Sequence, residues 1–440
     1  MRHRSFGQSL LVVLVVLALG LAPPAFAQQP VEGQTPSVEV PPEGFVPGEI
    51  LVKFKSGTSE TQKNEAHRRK GGQRTEVIPR IDVEEVQVPQ GQEESRAADY
   101  ENDPNVEYAE LNGVYEALET SEKRTTGSRT GSDPTASMTP SDSKIDKQWA
   151  YHNTGAHDWK KDADIDAFAA WDHTTGSSAV PIAILDTGVA QSHEDLGGKV
   201  AESVDCTTRL PCDPNASAED KAGHGTHVAG TAAADTNNAT GVAGTCPDCA
   251  LYNVKVLGDN GTGSSSSVAE GIRWSADNGA KVINMSLGAS ARSSTIEDAV
   301  DYAWGKGVVL AAAAGNGGAK GRTYPAAYDE VIAVGASDYR DKKAGFSNHG
   351  SWVDVAAPGV GILSTTKDGK YGRMSGTSMA TPHVAGVAGL VWSTSSGTGN
   401  QGVRDKIESA TDRIKGTGAY WSKGRINACK AVGASCRYGR

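Results

Sequence analysis

Three side chains, far apart in this sequence, are of the types that perform proton transfer and nucleophilic attack. Asp186 directly follows an apolar run, and a carboxylate at the end of a buried strand lies where parallel sheets place active sites. His224 stands in a stretch crowded with small residues, and an imidazole is the usual general base near neutral pH. Ser378 stands in Gly-Thr-Ser-Met-Ala, where a Gly-rich turn leads into a helix whose first N–H groups favour a developing anion.

Each of these residues, taken alone, also has a structural interpretation. Asp186 precedes Thr-Gly, so its role could be limited to forming a turn. Ser378 could be a helix N-cap. A lone histidine is often a hydrogen-bonded core residue, and we assign that role to His227. His224 and His227 could bind a metal as an i, i+3 pair, but the glutamate of an H-E-x-x-H motif is missing.

The elements that must position these side chains alternate between strands and helices over most of the chain. Short apolar runs predict strands at 180–185, 250–257, 281–285, 308–314 and 331–334, and helices are predicted at 267–278 and 295–306. This alternation predicts an α/β fold with a mostly parallel sheet that has helices on both faces. Active-site residues are then expected at the carboxyl ends of the strands.

The chain order Asp, His, Ser separates this set from other triads, because α/β-hydrolases run Ser, Asp/Glu, His and chymotrypsin runs His, Asp, Ser. Asp186-Thr187-Gly188, His224-Gly225-Thr226-His227 and Gly376-Thr377-Ser378-Met379-Ala380 resemble the three signature blocks of subtilisin-like serine proteases (subtilases). The resemblance covers about 142–435 and is nearest to the thermitase-like branch. It implies a serine endopeptidase in which Ser378 attacks, His224 transfers the proton, Asp186 orients His224, and Asn316 completes the oxyanion hole.

Three other functions stay open from the residues alone. Asp-Thr-Gly is also the signature of aspartic proteases, but the sequence holds no second Asp-Thr-Gly or Asp-Ser-Gly. A lipase would carry G-x-S-x-G, which does not surround Ser378. A pseudoprotease that only binds is disfavoured by the complete set of catalytic residue types. Asn316 precedes Gly317 and, taken alone, reads as a loop former.

The resemblance also implies how a peptide is bound. Substrate is expected to lie as an added strand between two walls, with a pocket for the residue before the cut. The residues implied are Ser286, Leu287 and Gly288 on one wall, Gly261 and Gly263 on the other, and Ala313, Ala314 and Thr323 around the pocket. No charge marks the pocket, so broad specificity is expected, with apolar or aromatic residues preferred before the cut.

The resemblance further implies a structural calcium ion and no cofactor for catalysis. The segment 235–242 resembles the calcium loop of the family, and oxygen ligands at alternate positions suit this ion. The ligands implied are Asp142, Asp195, Thr236, Asn238, Thr240 and Val242. The alternative is a solvated, Asn-rich turn.

The N-terminal third is predicted to be a leader followed by a propeptide. Arg2 and Arg4, an apolar run and Ala25-Phe26-Ala27 have the order of a secretory signal peptide, since the run is shorter than the ~20 residues of a membrane span. The expected divisions are a signal peptide at 1–27, a flexible lead-in at 28–45, a propeptide at 46–117, a linker at 118–141 and the catalytic domain at 142–440. Strands at 49–54, 83–88 and 106–114 with helices at 59–70 and 96–102 predict a small α+β, ferredoxin-like propeptide. It resembles subtilisin propeptides, which implies an intramolecular chaperone and inhibitor.

Charge and cysteine content agree with an exported enzyme. The net charge of -10 argues against a nucleic-acid partner, and no membrane contact is expected once the signal is removed. We expect an extracellular monomer whose partners are peptide substrates and its own propeptide. Six cysteines allow 15 pairings, but they form three local couples that export favours as disulfides: Cys206–Cys212, Cys246–Cys249 and Cys429–Cys436.

Overall fold

The computed structural model describes residues 44–120, 139–155, 158–394 and 399–436. The predicted signal peptide, the lead-in up to residue 43 and residues 121–138 of the predicted linker lie outside the described residues. Within the described ranges, no helix combines the length and the apolar character that crossing a bilayer requires.

The N-terminal unit is a sheet with two helices on it. Its elements are β1 (Phe45–Phe54), α1 (Glu60–Lys70), β2 (Gln73–Ile78), β3 (Val83–Gln87), α2 (Glu93–Glu101) and β4 (Val106–Ala117). The strands lie in the order β4-β1-β3-β2, and neighbouring strands are antiparallel. This βαββαβ arrangement is ferredoxin-like, as the sequence predicted.

Local signals in the sequence define the first helix of this unit. Ser59 accepts a hydrogen bond from the backbone N–H of Gln62, and the Gln62 side chain accepts one from the Ser59 backbone, which forms a capping box. The helix ends at Lys70 and is capped by Gly71, whose φ of 69° is left-handed. Buried side chains of the strands and of both helices, among them Ile50 and Tyr100, form a separate small core.

The large C-terminal unit is an α/β domain. A short 3₁₀ turn (Ile145–Lys147) is followed by α3 (Ala167–Trp171), β5 (Ile182–Asp186), β6 (Val200–Asp205), α4 (His224–Ala233), β7 (Leu251–Lys255), β8 (Thr262–Ser264), α5 (Ser265–Asp277), β9 (Val282–Met285), β10 (Leu287–Gly288), α6 (Ser294–Gly305), β11 (Val309–Ala313), β12 (Val331–Ser337), β13 (Val355–Pro358), β14 (Ile362–Thr366), β15 (Lys370–Met374), α7 (Thr377–Thr394), α8 (Gly399–Ser409) and α9 (Ala428–Ala431). Seven strands form one sheet in the order β13-β12-β11-β9-β5-β7-β6, and every neighbouring pair is parallel.

Helices cover both faces of this parallel sheet, which confirms the predicted fold class. In β5, Ile182 and Ile184 pack with the apolar residues of α4 and α7. The alternate residues Ala183 and Leu185 pack with those of α5 and α6 on the opposite face. Burial on both faces explains why the central strands read as continuous apolar runs.

Three disulfides join cysteines that are near in sequence. The Cα atoms are 4.1 Å apart in Cys206–Cys212, 5.4 Å in Cys246–Cys249 and 5.7 Å in Cys429–Cys436. Each bridge closes a loop of only a few residues, so each removes less entropy from the unfolded chain than a long-range bridge would.

Candidate active site

Asp186 and His224 form a buried pair at the carboxyl end of the sheet. Asp186 is the last residue of β5, and His224 is the first residue of α4. Asp186 Oδ1 lies 2.7 Å from His224 Nδ1 and also accepts a bond from the Thr187 N–H. Burial disfavours a charged imidazole, but the neighbouring carboxylates, Asp186 above all, outweigh it and raise the pKa of His224. The arrangement fixes the imidazole and favours its protonated form.

Asp220, which the sequence analysis did not select, holds the start of α4. Its carboxylate accepts hydrogen bonds from the Gly223 N–H, from the Thr226 N–H and hydroxyl, and from the Thr187 hydroxyl. The Thr187 hydroxyl in turn accepts from the Gly225 N–H. Asp220 therefore ties the end of β5 to the beginning of α4, which sets the position of His224. An Asp a few residues before a helix start was the available signal.

Ser378 is the second residue of α7 and exchanges two hydrogen bonds with Ser286. The Ser378 hydroxyl donates to the Ser286 carbonyl at 2.9 Å, and the Ser286 hydroxyl donates to the Ser378 carbonyl at 2.9 Å. The second bond replaces one that Pro382 cannot make, because proline has no N–H for the carbonyl four residues before it. Among the described residues His224 Nε2 has no hydrogen-bond partner. The structure thus pairs Asp186 with His224 and directs the Ser378 hydroxyl to Ser286 rather than to the imidazole.

Asn316 follows β11 and points its amide N–H₂ into the groove between β8 and β10, hereafter the cleft. The Thr377 N–H and hydroxyl both donate to Asn316 Oδ1 at 2.9 Å, which fixes the orientation of the amide. Asn316 Nδ2 then donates to the carbonyl of Leu118, at 2.7 Å. A positioned donor on a carbonyl oxygen is what an oxyanion hole requires.

The end of the N-terminal unit lies in the cleft as an added strand. On one side β4 pairs antiparallel with β8, Tyr115 opposite Gly263, and the Ala117 N–H donates to the Gly261 carbonyl at 2.9 Å. On the other side β4 pairs antiparallel with β10, Ala117 opposite Leu287. Both segments that the sequence analysis named as walls therefore bind an extended chain through backbone hydrogen bonds.

Close packing next to Leu118 explains the small residues of the cleft. A Cβ on Gly288 would lie 2.5 Å from Thr323 Cγ2 and 3.1 Å from Leu118 Cδ1, so only glycine fits there. A Cβ on Gly263 would meet the Val256 carbonyl at 2.1 Å. Ala313 and Ala314 are fully buried where β11 ends.

Comparisons with known proteins agree with this geometry. Residues 177–425 match the model of the subtilase family, and residues 33–112 match the fervidolysin N-terminal prodomain. The chain is 42% identical to a thermophilic serine proteinase of Bacillus sp. (strain AK1) over 389 residues, 88% of each chain. It is 51% identical to thermitase of Thermoactinomyces vulgaris over 268 residues, which are 61% of this chain and 93% of that protein. The chain belongs to the subtilase family. It is a serine endopeptidase with an N-terminal prodomain, the unit formed by β1 to β4.

The loop predicted to bind calcium in this subtilase brings two carboxylates together. Asp142 is buried; its Oδ2 accepts from the Asn237 N–H at 2.8 Å, and its Oδ1 has no partner within the described residues. Asp195 is buried too, and accepts from Asn238 Nδ2 at 3.0 Å and from the Val242 N–H at 2.9 Å. An unpartnered buried carboxylate oxygen beside a second carboxylate fits a cation.

The remaining predicted ligands are on the same loop, but the arrangement is not a cluster of acids. Thr236 and Thr240 lie on either side of Asn238, whose Oδ1 accepts from the Thr240 N–H. Within the described ranges, no group of three or more His, Cys, Asp or Glu side chains could hold a metal. A cation here would depend on main-chain and amide oxygens, which suit calcium, and the Asn238 amide would have to turn its oxygen inward.

His227 lies on α4 close to His224 but is a structural residue in this subtilase. Its Nε2 lies 3.0 Å from the Ile362 carbonyl and 3.2 Å from the Gly372 carbonyl. Burial lowers the pKa of His227 to about 4, so the ring is neutral at pH 7. It connects α4 to the β14–β15 hairpin, in agreement with the core role assigned from the sequence.

The prodomain also contacts the catalytic domain outside the cleft. Glu110 accepts hydrogen bonds from the Ser293 hydroxyl (2.6 Å), the Ser294 N–H (2.8 Å) and the Thr295 N–H (3.0 Å) at the start of α6. Nearby, Asp298 accepts from the Tyr108 hydroxyl at 2.7 Å. A carboxylate at a helix N-terminus satisfies free N–H groups and complements the helix dipole. The prodomain is therefore bound at α6 as well as in the cleft.

Proposed function

We propose that this subtilase hydrolyses internal peptide bonds of proteins through an acyl-enzyme, with Ser378 as nucleophile, His224 as general base and acid, and Asp186 as the residue that orients His224. One observation carries the proposal. The Leu118 carbonyl accepts from Asn316, while the Leu118 N–H donates to the Ser286 carbonyl at 3.2 Å, the same carbonyl to which the Ser378 hydroxyl donates. An extended chain is thus held with one carbonyl beside both the nucleophile and an oxyanion donor.

The reaction follows from these positions. The Ser378 hydroxyl leaves Ser286, its oxygen attacks the substrate carbonyl, and its proton passes to His224 Nε2. Asn316 Nδ2 stabilises the oxyanion, with the Ser378 N–H as a second donor. His224 then gives the proton to the departing amine. Water hydrolyses the ester by the same steps in reverse, and Asp186 stays ionised throughout.

Substitution of the two reacting side chains tests this proposal. In subtilisin, removing the equivalent serine or histidine costs about 10⁶-fold in kcat, and a comparable loss is expected for Ser378→Ala and for His224→Ala. Ser393→Ala is the matched control, because Ser393 lies on the same helix and its hydroxyl donates only to the Gly389 carbonyl of the preceding turn. Substantial hydrolysis by Ser378→Ala would refute the proposed nucleophile.

The proposed specificity is broad, with apolar or aromatic residues preferred before the cut. The position of Leu118 supports this preference. Its apolar side chain lies next to Gly288 and Thr323, in the pocket predicted to bind the residue before the cut. Digestion of a peptide library followed by mass spectrometry tests this preference. Cleavage mainly after Arg or Lys would refute it.

We further propose that the enzyme is secreted as a zymogen and is inhibited by its own prodomain. We also propose that it is a monomer and that a calcium ion stabilises it. The sequence of residues 1–27 supports secretion. The strand that the prodomain adds to the cleft supports inhibition, since it occupies the place of a substrate. The unpartnered carboxylate oxygen of Asp142 supports the cation, which would be held by the loop 235–242 together with Asp195.

A further inference from the structure

We propose that maturation begins with one cut, between Leu118 and Glu119. This cut leaves residues 119–138 attached to a catalytic domain whose N-terminal arm, Ser141 to Lys144, is already bound to the loop 235–242. This inference rests on the proposed function, because it names the first bond on which the same active site acts. On this proposal, the cut that severs the prodomain and the cut that forms the final N-terminus are two separate events.

Backbone hydrogen bonds on both sides select this peptide bond. Before it, Ala117 donates to the Gly261 carbonyl and Leu118 donates to the Ser286 carbonyl. After it, the N–H and hydroxyl of Thr120 donate to the Ser375 carbonyl at 3.0 and 3.1 Å. The carbonyl between these anchors, that of Leu118, is the one bonded to Asn316. A bond held at both ends with its oxygen on the oxyanion donor is positioned for attack.

Side chains and close approaches agree with this register. A Cβ on Gly376, just before α7, would lie 2.8 Å from the Leu118 carbonyl oxygen and 3.4 Å from Glu119 Cα, so the cleft floor needs glycine at this point. The Glu119 carboxylate is among the charges that act on His224. The bond therefore lies against the turn that leads into α7, the helix that carries Ser378.

The cut needs no co-reactant other than water. The Ser378 oxygen forms an ester with the Leu118 carbonyl carbon, the bond to the Glu119 nitrogen breaks, and His224 protonates the new Glu119 amine. Water then attacks the ester, which frees a carboxylate on Leu118 and restores the Ser378 hydroxyl. The prodomain remains bound by β4 and by Glu110 as a product inhibitor.

The arm that begins the catalytic domain is bound in the same structure in which Leu118 occupies the cleft. The Ser141 N–H donates to Asn237 Oδ1 at 3.1 Å, and the Ser141 hydroxyl accepts from the Ala239 N–H at 3.0 Å. Farther along, the Lys144 N–H donates to the Gly241 carbonyl at 2.8 Å. Docking of this arm on the loop 235–242 therefore does not wait for the cut. We expect trimming within 119–138 to be a separate step that follows the cut.

The order of cuts can be measured on the full-length precursor. Purified precursor, held inactive and then brought to permissive conditions, is sampled over time by intact mass and N-terminal sequencing. The first new N-terminus is expected at Glu119, with a complementary fragment ending at Leu118, at a rate independent of protein concentration. N-termini within 120–139, from cuts in the segment 119–138, should follow, and these should depend on concentration.

Variants at residue 118 give a matched comparison. Leu118→Met keeps an apolar side chain and should be cut at the same bond at a similar rate. Leu118→Asp places a charge in the pocket and should slow this cut by about 100-fold. A first N-terminus anywhere else, with Leu118–Glu119 intact, would overturn the inference while leaving the proposed peptidase in place. If the wild-type precursor makes no cut that Ser378→Ala abolishes, the proposed function itself fails.

Discussion

The contact between Glu110 and α6 predicts how strongly the cleaved prodomain is retained. The substitution Glu110→Gln removes the charge and one acceptor oxygen but keeps the size and shape of the side chain. Three donors at the start of α6 bond this carboxylate in the structure, two of them backbone N–H groups. The variant should therefore release the prodomain faster after the cut.

The expected size follows from those bonds. Hydrogen bonds to a charged partner contribute about 1.5–3 kcal/mol each, and a carboxylate at a helix N-terminus adds about 0.3–1 kcal/mol. The glutamine keeps one neutral acceptor, so the net loss should be about 2–4 kcal/mol. That loss corresponds to a dissociation constant about 30- to 1000-fold larger for the cleaved prodomain.

The assay follows recovery of activity when the cleaved complex is diluted into a chromogenic peptide substrate. Glu107→Gln is the matched control, since Glu107 lies on the same strand, its side chain is 49% exposed, and its contact with Lys53 is 3.6 Å long. Such a surface ion pair contributes about 0–1 kcal/mol. If Glu110→Gln recovers activity no faster than Glu107→Gln, the contact with α6 does not contribute to inhibition.

Three further predictions concern pH, calcium and the oxyanion hole. Burial first, and the charge of Glu85 second, raise the pKa of Glu49 to about 7, and burial raises the pKa of Glu85 as well. The contribution of these carboxyls to the stability of the folded precursor should therefore be highest below the ordinary value of 4.5 and fall as pH rises through 7. If the Tm of the uncut Ser378→Ala precursor falls no more between about pH 5.5 and about pH 8.5 than the Tm of the same precursor carrying Glu49→Gln, this prediction is wrong. A chelator should lower the Tm of the uncut Ser378→Ala precursor, because the arm that carries the predicted ligand Asp142 is already docked before the cut. The chelator should have no effect on the Tm once Asp195→Asn is added. A Tm that the chelator leaves unchanged in both proteins would refute the calcium site. Asn316→Ala should lower kcat by about 10²–10³-fold, as the equivalent change does in subtilisin, and should change KM little. Progress curves in which only KM changes would count against the oxyanion role of Asn316.

The central strands could be predicted from the sequence because burial on both faces leaves unbroken apolar runs. The predicted strand at 281–285 is β9 (Val282–Met285), and that at 308–314 contains β11 (Val309–Ala313). β6 was not predicted: it lies at the sheet edge, and only its last residues are fully buried. β2 was missed for a similar reason, since most of its side chains are polar and partly exposed.

Within the site, the sequence identified residue types but not contacts between distant segments. Asp186 stood out because it follows an apolar run, whereas Asn316 was identified only through the resemblance to subtilases. Nothing local marked Leu118, which the sequence analysis placed in a linker, because its role depends on partners such as Ser286 that are more than a hundred residues away. Asp220 had a local signal, because it shortly precedes a helix start, but Glu110 binds the start of a helix more than a hundred residues away, and no local pattern marks such a contact.

The identity of the nucleophile is tested most directly by covalent labelling. The processed enzyme is treated with a fluorophosphonate, digested, and mapped by mass spectrometry, with His224→Ala treated in parallel. We predict one adduct, on Ser378, that forms in step with loss of activity and much more slowly in His224→Ala. An adduct on another residue that abolishes activity, or full activity with Ser378 completely labelled, would contradict the account.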